Sequence, residues 1–330
     1  MSELAVVAFA ASTDSHVVER PRSARFDRFR AGFDEAGYRA DLEARGLRWI
    51  ARGEVGFPAR LRAIHDPPPG LFLRGGGSLD LFGRTCVAVV GARACSPYGS
   101  AIAFELGREL ARAGAVVVSG LARGVDGAAH RGALEAGETI AVLGCGVDRD
   151  YPRAHGTLAA SIAAQGLIVS EYPPGVEPAP WRFPARNRIV AGLCDATVVV
   201  EARERSGALI TADLALDEGR EVLTVPGEIT SLLSAGTNAL LRLGATPVTC
   251  VDDVLAAVGL DRPTPLHPVQ LAPRLDVVRS AIADAPLGAD EIARRMQLTA
   301  PEVAAALAEL ELLGEVVQAE GVYRVVRPQT

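Results

Sequence analysis

Short apolar segments alternate with helical segments from Cys86 onwards, and this alternation constrains the fold more than any other feature of the sequence. Short buried strands separated by helices predict a Rossmann-like, doubly wound and mostly parallel α/β sheet. The predicted strands are 86–90, 115–118, 139–143, 167–170, 197–200, 221–225 and a last one near 247–249. The predicted helices between them are 96–112, 126–136, 155–165, 186–193, 207–218 and 236–243.

The remaining sequence predicts two smaller units on either side of this core. Residues 1–66 form a small helical N-terminal unit, and 67–258 form the Rossmann-like domain, which opens with an edge strand at 71–73. Four prolines make 259–274 a semi-rigid linker. Residues 275–330 predict three helices and a hairpin, which is the pattern of a winged helix. The third helix carries three glutamates and no basic residue, which favours contact with protein over contact with duplex DNA. Arg294 and Arg295 on the second helix keep the DNA alternative open.

Unusual residues follow the predicted strands, at the edge where doubly wound sheets bind ligands. Glycines at these positions let backbone N–H groups approach an anion, although α/β turns also need glycine for purely structural reasons. Arg93 is harder to explain structurally, because it follows the first strand closely and has no evident role in the turn. We therefore expect an anion site at this edge.

A second basic cluster lies between Trp181 and Gly192, in a chain whose formal net charge is −6. Arg182, Arg186 and Arg188 crowd beside Trp181 and Phe183, and a short helix is predicted from Arg186 with its arginines in the first turn. Cations at a helix N-terminus oppose the helix dipole unless an anion binds there. An aromatic ring among guanidinium groups also provides a surface for base stacking. The alternative is a solvated basic turn with aromatic side chains covering the core.

Several classes of site are excluded or disfavoured by composition. The sequence contains no lysine, which rules out a Walker A loop and a pyridoxal Schiff base. No G-x-G-x-x-G follows the first strand, the five histidines lack metal-ligand spacing, and the five cysteines lack C-x-x-C spacing. We thus expect no cofactor or metal and reduced thiols in a cytoplasmic protein, with no apolar run that spans a membrane. Asp126 and His130 form a conceivable catalytic pair, but a buried hydrogen bond is the favoured interpretation.

A series of motifs in order resembles the DNA-processing protein A family (DprA, also called Smf) over roughly residues 57–258. The motifs are Gly91-Ala92-Arg93, Ser119-Gly120-Leu121-Ala122-Arg123-Gly124-Val125-Asp126, Tyr151-Pro152, Arg182-Phe183-Pro184, Arg186-Asn187-Arg188-Ile189, Glu201-Ala202, Ser206-Gly207, Val225-Pro226-Gly227 and Gly236-Thr237-Asn238. Two positions depart from the family pattern. Ala92 replaces a serine, and Arg153 stands where lysine is frequent, so the positive charge is kept.

The resemblance implies a bacterial cytoplasmic protein of natural transformation and recombination that is not an enzyme. Such proteins bind single-stranded DNA without sequence preference, protect incoming strands, load RecA recombinase onto them, and form homodimers through the Rossmann-like domain. Carried over by position, the implied DNA-binding residues are Arg93, Ser119, Gly120, Arg123, Asp126, Arg153, Arg182, Phe183, Arg186, Asn187, Arg188, Ser206, Gly207, Gly236 and Asn238.

Two other functions remain as alternatives. Val225-Pro226-Gly227-Glu228 followed by Gly236-Thr237-Asn238 is similar to a turn of nucleotide phosphoribohydrolases, which would make Glu201 a candidate catalytic carboxylate. Eight residues separate Gly227 from Gly236, however, where that motif has two. The chain could also act solely as a protein-bridging module through its winged helix.

Overall fold

The computed structural model describes residues 2–12, 24–262, 271–283, 285–313, 315–319 and 321–325. Two compact units are present, Met1–Pro263 and Thr264–Thr330. The predicted linker 259–274 falls partly on 263–270, which lie outside the described residues. The boundaries proposed from the sequence for the separate domains therefore stay a prediction.

The first unit is built on a nine-stranded sheet in the order β1-β2-β6-β5-β4-β3-β7-β8-β9. The strands are β1 Leu47–Ala51, β2 Gly70–Arg74, β3 Cys86–Val90, β4 Val116–Ser119, β5 Thr139–Val142, β6 Leu167–Ser170, β7 Ala196–Val199, β8 Glu221–Thr224 and β9 Thr246–Pro247. All pairs from β6 to β9 are parallel, whereas β1–β2 and β2–β6 are antiparallel. The predicted mostly parallel, Rossmann-like sheet is confirmed.

Helices cover both faces of this sheet, as the alternating sequence predicts. They are α1 Glu3–Ser12, α2 Ala24–Ala31, α3 Glu35–Ala44, α4 Ala59–Arg62, α5 Pro97–Arg112, α6 Val125–Leu134, α7 Gly156–Gln165, α8 Arg182–Leu193, α9 Gly207–Asp217, α10 Ala235–Arg242 and α11 Val251–Ala257. Strand β3 shows why its sequence is apolar throughout. Cys86, Ala88 and Val90 enter one core and Val87 and Val89 the other, so each side chain is buried.

The structure corrects the prediction for the N-terminal part of the sheet. Residues 71–73 do not form an edge strand, because β2 lies between β1 and β6. The edge is instead β1, which falls inside the segment predicted to be helical. Trp49 of β1 packs on Phe72 of β2 with ring centroids 4.5 Å apart, which anchors this added strand.

Two helix starts also differ from the prediction. Helix α8 begins at Arg182 and not at Arg186, because Pro184 in its first turn removes only an N–H group that would have had no helical acceptor. Helix α6 begins at Val125 after Gly124, so Asp126 is not its N-cap. The Asp126 carboxylate accepts hydrogen bonds from the preceding loop instead.

The second unit is a winged helix, as predicted. It contains α12 Pro273–Ala283, α13 Ala289–Met296, α14 Ala300–Leu312 and a hairpin of β10 Val316–Ala319 with β11 Val322–Val325. Thr299 and Glu302 cap α14 reciprocally, with the Glu302 carboxylate accepting from the Thr299 backbone N–H at 2.8 Å. Leu307 and Leu310 of α14 and Val278 of α12 centre its own core.

Candidate nucleic-acid interface

A pocket opens at the carboxyl ends of the parallel strands, where the strand order reverses between β3 and β7. Its main cavity of about 510 Å³ adjoins a smaller one of about 290 Å³. The residues that line both cavities are Arg93, Gly120, Ala122, Tyr151, Phe183 and Arg186. We call this the arginine–aromatic pocket. It brings the turn after β3, the turn after β4 and the start of α8 together, although they are far apart in sequence.

Phe183 is the centre of the pocket. The Arg93 guanidinium carbon lies 5.2 Å from the Phe183 ring centroid, within the range of a cation–π interaction. The Tyr151 ring stacks on Phe183 with centroids 5.4 Å apart and an interplanar angle of 26°. Arg93 is exposed and Tyr151 is 39% exposed, so both remain open to a ligand. A flat ring that enters the pocket can continue this stack beside a positive charge.

Arg186 forms the floor of the pocket and is buried. Its guanidinium donates to the Val142 carbonyl, and a Cβ placed on Gly120 would lie only 2.3 Å from the Arg186 guanidinium nitrogen. A side chain at Gly120 would therefore displace the Arg186 guanidinium from this position. Burial lowers the pKa of Arg186 from its ordinary value, and the negative charge of Asp126 partly offsets that effect.

Asp126 and Ser119 stabilise the pocket through hydrogen bonds to the backbone. One Asp126 oxygen accepts from the backbone N–H groups of Gly120 at 3.0 Å and Ala122 at 3.3 Å. Burial raises the pKa of Asp126, while the Arg186 charge acts in the opposite direction. The Ser119 hydroxyl donates to the Val89 carbonyl at 2.6 Å and is fully buried. These two residues fix the turn after β4 rather than offering free groups to a ligand.

Two of the predicted arginines are held by other parts of the protein. Arg188 donates to both carboxylate oxygens of Glu171, at 2.9 and 2.7 Å, and to Asp66 at 2.9 Å. Arg182 donates to the Glu177 carbonyl and lies 4.7 Å from the Trp181 ring centroid. The prediction that Arg186, Asn187 and Arg188 form the first turn of this helix is therefore wrong, because α8 begins at Arg182. Arg182, Arg186 and Arg188 are all buried.

The exposed positive charge comes from three other arginines. Arg93, Arg123 and Arg153 are exposed, and within the described part of the chain none forms an ion pair with a carboxylate. Arg93 and Arg123 line the smaller cavity, and Arg153 follows Pro152, which also lines it. Uncompensated guanidinium groups around an aromatic stack suit phosphate groups.

The remaining predicted residues lie at the rim or outside the pocket. Asn187, Ser206 and Gly207 line the main cavity, where the Asn187 amide donates to the Gly207 carbonyl at 3.1 Å. Gly236 and Asn238 do not line either cavity. Asn238 exchanges hydrogen bonds with the backbone of Gly227, at 3.3 and 3.1 Å, and so fixes the loop before α10.

Sequence reasoning missed Tyr151 as a site residue, together with Pro180 and Thr211 of the pocket lining. The signal for Tyr151 was present in the Tyr151-Pro152 motif, where an aromatic residue follows a polar loop. Thr211 belongs with Ala212 to the series of motifs that resembles the family, but it was not carried over as a binding residue. Nothing local to Pro180 distinguishes it.

The arrangement does not favour a hydrolytic site. The two Glu201 oxygens accept from the Ser96 backbone N–H at 2.8 Å and the Ser96 hydroxyl at 2.5 Å, so this carboxylate caps α5. Among the residues that the structure describes, Asp126 is the only carboxylate in the lining of the main cavity. His130 is buried and hydrogen-bonds to Thr139 at 2.8 Å and not to Asp126, so the Asp126–His130 pair suggested by the sequence is not formed. No cluster of three potential metal ligands, and no helix long and apolar enough to cross a membrane, occurs in the described ranges.

Fold and site together define a Rossmann-like protein with an arginine–aromatic pocket at its switch point, followed by a winged helix. A model of the family described as DNA recombination-mediator protein A matches residues 48–259, and one described as the DprA winged helix domain matches 262–322. The chain belongs to the DprA family. The resemblance found in the sequence is thereby confirmed.

Individual relatives agree with this assignment. The chain is 47% identical over 201 residues to DNA processing protein DprA of Streptococcus pneumoniae, covering 61% of this chain and 70% of that protein. It is 42% identical over 287 residues to the putative DNA processing protein DprA of Mycobacterium tuberculosis, covering 82% and 72%.

Two solved structures share the fold. The X-ray structure of DprA from Streptococcus pneumoniae aligns with a TM-score of 0.66 and 38% identity, over 80% of this chain and 94% of that one. DprA from Helicobacter pylori, whose structure is described as showing a unique single-stranded DNA binding mode, aligns with a TM-score of 0.57 and 33% identity, over 63% and 94%.

Proposed function

We propose that this protein binds single-stranded DNA through the arginine–aromatic pocket without reading its sequence. The observation that supports this most directly is the stack of Arg93, Phe183 and Tyr151 at the carboxyl edge of the sheet. Every base has a flat face, so stacking on Phe183 and Tyr151 tolerates any sequence. Each such stack contributes about 1–3 kcal/mol to binding.

The phosphates are neutralised by the exposed arginines Arg93, Arg123 and Arg153. Contacts of this kind release counterions, so the affinity falls steeply as the salt concentration rises. Buried Arg186 adds positive potential to the floor of the pocket and keeps its charge there through the nearby Asp126. This part of the site is electrostatic and equally independent of sequence.

Single strands are preferred over duplexes because of the position of the aromatic rings. Phe183 is half-buried behind Arg93, so a base must leave its own stack to reach it. In a duplex this requires unpairing, whereas a single strand offers unstacked bases at little cost.

The wider role that we propose is DNA processing in natural transformation and recombination, in the cytoplasm and without catalysis. It includes protection of incoming strands and the loading of RecA recombinase onto them. Membership of the DprA family supports this role, as does the single-stranded DNA binding mode described for the Helicobacter pylori relative.

We further propose that the protein forms a homodimer through the Rossmann-like domain. Exposed apolar side chains occur on both sides of α10, near the β9 edge of the sheet. Ile229 is 96% exposed, Leu232 74% and Leu243 85%. Burial of these side chains against a partner subunit would remove them from water.

The test of the DNA-binding proposal is an equilibrium titration of a fluorescent single-stranded oligonucleotide at several salt concentrations, with the same sequence as a duplex for comparison. We expect a preference for the single strand and a negative, linear dependence of log affinity on log salt. Absence of binding at low salt would remove the proposal. Release of free base from a nucleoside monophosphate would instead support the phosphoribohydrolase alternative.

A further inference from the structure

The winged-helix unit exposes an apolar patch that its own core does not use. Leu312 is 90% exposed, Val277 47% and Leu313 44%. Their neighbours Val278 and Leu310 are buried in the core of the unit, so the patch is separate from that core. Large apolar side chains grouped in this way on a small domain indicate a surface for another molecule.

Two ion pairs join α12 to the C-terminal end of α14 and to Glu315 beyond it, and we call this junction the seam. Arg274 binds Glu309 at 2.6 Å, and Arg279 binds Glu315 at 2.7 Å. The two chain segments therefore run side by side in the same direction. Val277 lies between the two arginines in sequence, and Leu312 and Leu313 lie between the two glutamates. Val277 and Leu312 each follow the first ion pair by three residues, which places them on the same helix faces as Arg274 and Glu309.

The rim of the patch is acidic. Asp276 and Glu311 are exposed, and neither forms an ion pair with any residue that the structure describes. Arg274 and Arg279 are already paired with carboxylates in the two ion pairs. Over residues 264–330, six arginines and nine acidic residues give a formal net charge of −3. A phosphate backbone would be repelled here, whereas a basic partner would be attracted.

We propose that this seam docks a basic amphipathic helix of another protein, an interaction that goes beyond DNA binding by the first unit. A helix with apolar side chains at every third or fourth position lays that stripe into a groove between two helices. Its lysines and arginines would then face Asp276 and Glu311. A second copy of the chain fits less well, because two acidic rims would meet.

A direct test uses the full chain and a fluorescent synthetic peptide of roughly 18 residues, or five helical turns. The peptide carries leucines at helical spacing and lysines elsewhere. One control peptide has the same composition with the leucines dispersed, and the other has glutamate in place of lysine. We expect anisotropy to report binding of the first peptide only, with an affinity that falls as salt is added.

Substitutions then locate the binding surface. Replacing both leucines, Leu312→Ser with Leu313→Ser, should weaken binding by on the order of tenfold or more, because two buried apolar contacts are lost. Val55→Ser is the control, since it removes an exposed apolar side chain from the first unit outside the proposed dimer surface. Glu311→Lys should weaken binding of the basic peptide and favour the acidic one. Thermal unfolding of each variant checks that the fold is intact.

Hydrogen exchange distinguishes docking of the peptide at the seam from nonspecific binding elsewhere on the protein. Protection on peptide addition should appear in 273–283 and 300–312 and nowhere in 86–258. Three results would overturn the proposal: equal affinity of the peptide for wild type and the double variant, loss of self-association on Leu312→Ser, or loss of duplex DNA binding on that substitution. The last two would assign the patch to a second copy or to DNA.

Discussion

In the proposed binding of single-stranded DNA, the central residue is Phe183, because both the Arg93 guanidinium and the Tyr151 ring lie against its ring. Arg93 contributes charge and Phe183 contributes a flat apolar surface. These contributions respond differently to salt, since counterion release follows charge neutralisation and not stacking. The contributions of Arg93 and Phe183 can therefore be distinguished by measuring the affinity at several salt concentrations.

We predict that Phe183→Ala weakens single-strand binding about tenfold with little change in the salt dependence, since one stack is worth about 1–3 kcal/mol. Arg93→Ala should weaken it while reducing the slope of log affinity against log salt by about 0.7, the value for one phosphate on a single strand. Titrations at four or more salt concentrations measure both effects.

Arg131→Ala is the matched control for these variants. Arg131 is exposed in the last turn of α6, away from the edge where the pocket lies, so its loss should leave both affinity and slope unchanged. If Arg131→Ala had the same effect as Arg93→Ala, the binding would depend on general charge and not on the pocket.

Local patterns in the sequence predicted Arg93 and Phe183 as contact residues, but could not separate exposed from buried arginines. Arg188 is neutralised by Glu171 and by Asp66, the latter 122 positions away along the chain. Such a partner is not visible in the residues around Arg188. The assignment of the individual DNA contacts accordingly stays a prediction, whereas the family and its fold are confirmed.

At the scale of elements, the packing of α6 against β5 contains a buried histidine with a defined proton position. Thr139 donates its hydroxyl proton to the Val117 carbonyl at 2.6 Å, so His130 must donate to Thr139 through Nδ1. Nε2 is then the unprotonated nitrogen, and it is buried without a hydrogen-bond partner among the described residues. Burial consequently lowers the pKa of His130 from 6.5 to about 3.

This arrangement predicts acid sensitivity with a defined sign. Between pH 6.5 and about 3 the unfolded chain binds a proton at His130 that the native protein excludes. The free energy of unfolding therefore decreases as pH falls through this range, by up to about 1.4 kcal/mol per pH unit for one proton. Urea denaturation near neutral pH and at roughly pH 5 should show a smaller acid-induced loss for His130→Leu than for wild type.

The same comparison includes its own control. His65 is exposed, so His65→Leu should keep the acid sensitivity of the wild type. Equal acid sensitivity in wild type and His130→Leu would contradict the assignment to His130. A lower stability of His130→Leu at neutral pH is expected in any case, because its hydrogen bond to Thr139 is lost.

Regular elements were predictable where burial on two faces left a continuous apolar run, as in β3. Strand β1 was not, because Leu47–Ala51 includes a charged residue and follows a helical segment directly. Its place is set by the pairing with β2 and by the contact of Trp49 with Phe72, neither of which has a local signature. The start of α8 was missed for a different reason. Pro184 was expected to precede the helix, but it lies in the first turn, where proline is tolerated.

At the scale of the whole molecule, the arginine–aromatic pocket is formed entirely by residues of the first unit. A chain that ends at Arg262 should consequently bind a single-stranded oligonucleotide with an affinity within about twofold of the full chain, as expected for independent parts. The titration described above measures this. Complete loss of DNA binding on truncation would favour a protein whose activity depends on the winged helix alone.

The proposed homodimer makes a separate prediction for the first unit. Leu232→Arg with Leu243→Arg places two charges on the exposed apolar surface beside α10 and should convert a dimer into a monomer, because a buried unpaired charge is costly. Sedimentation velocity gives the mass of each form. Leu312→Arg, which changes an equally exposed leucine in the winged-helix unit, should leave the mass unchanged.

Trp181, which contacts Arg182, allows DNA binding to be followed by tryptophan fluorescence. The chain has two tryptophans, and Trp181 is 38% exposed at the start of α8 whereas Trp49 is 7% exposed. Emission from Trp181 should change when a strand occupies the neighbouring pocket, while Trp49 supplies a constant signal from the interior. The protein thus contains its own spectroscopic reporter and reference, and unlabelled DNA suffices to observe binding in real time.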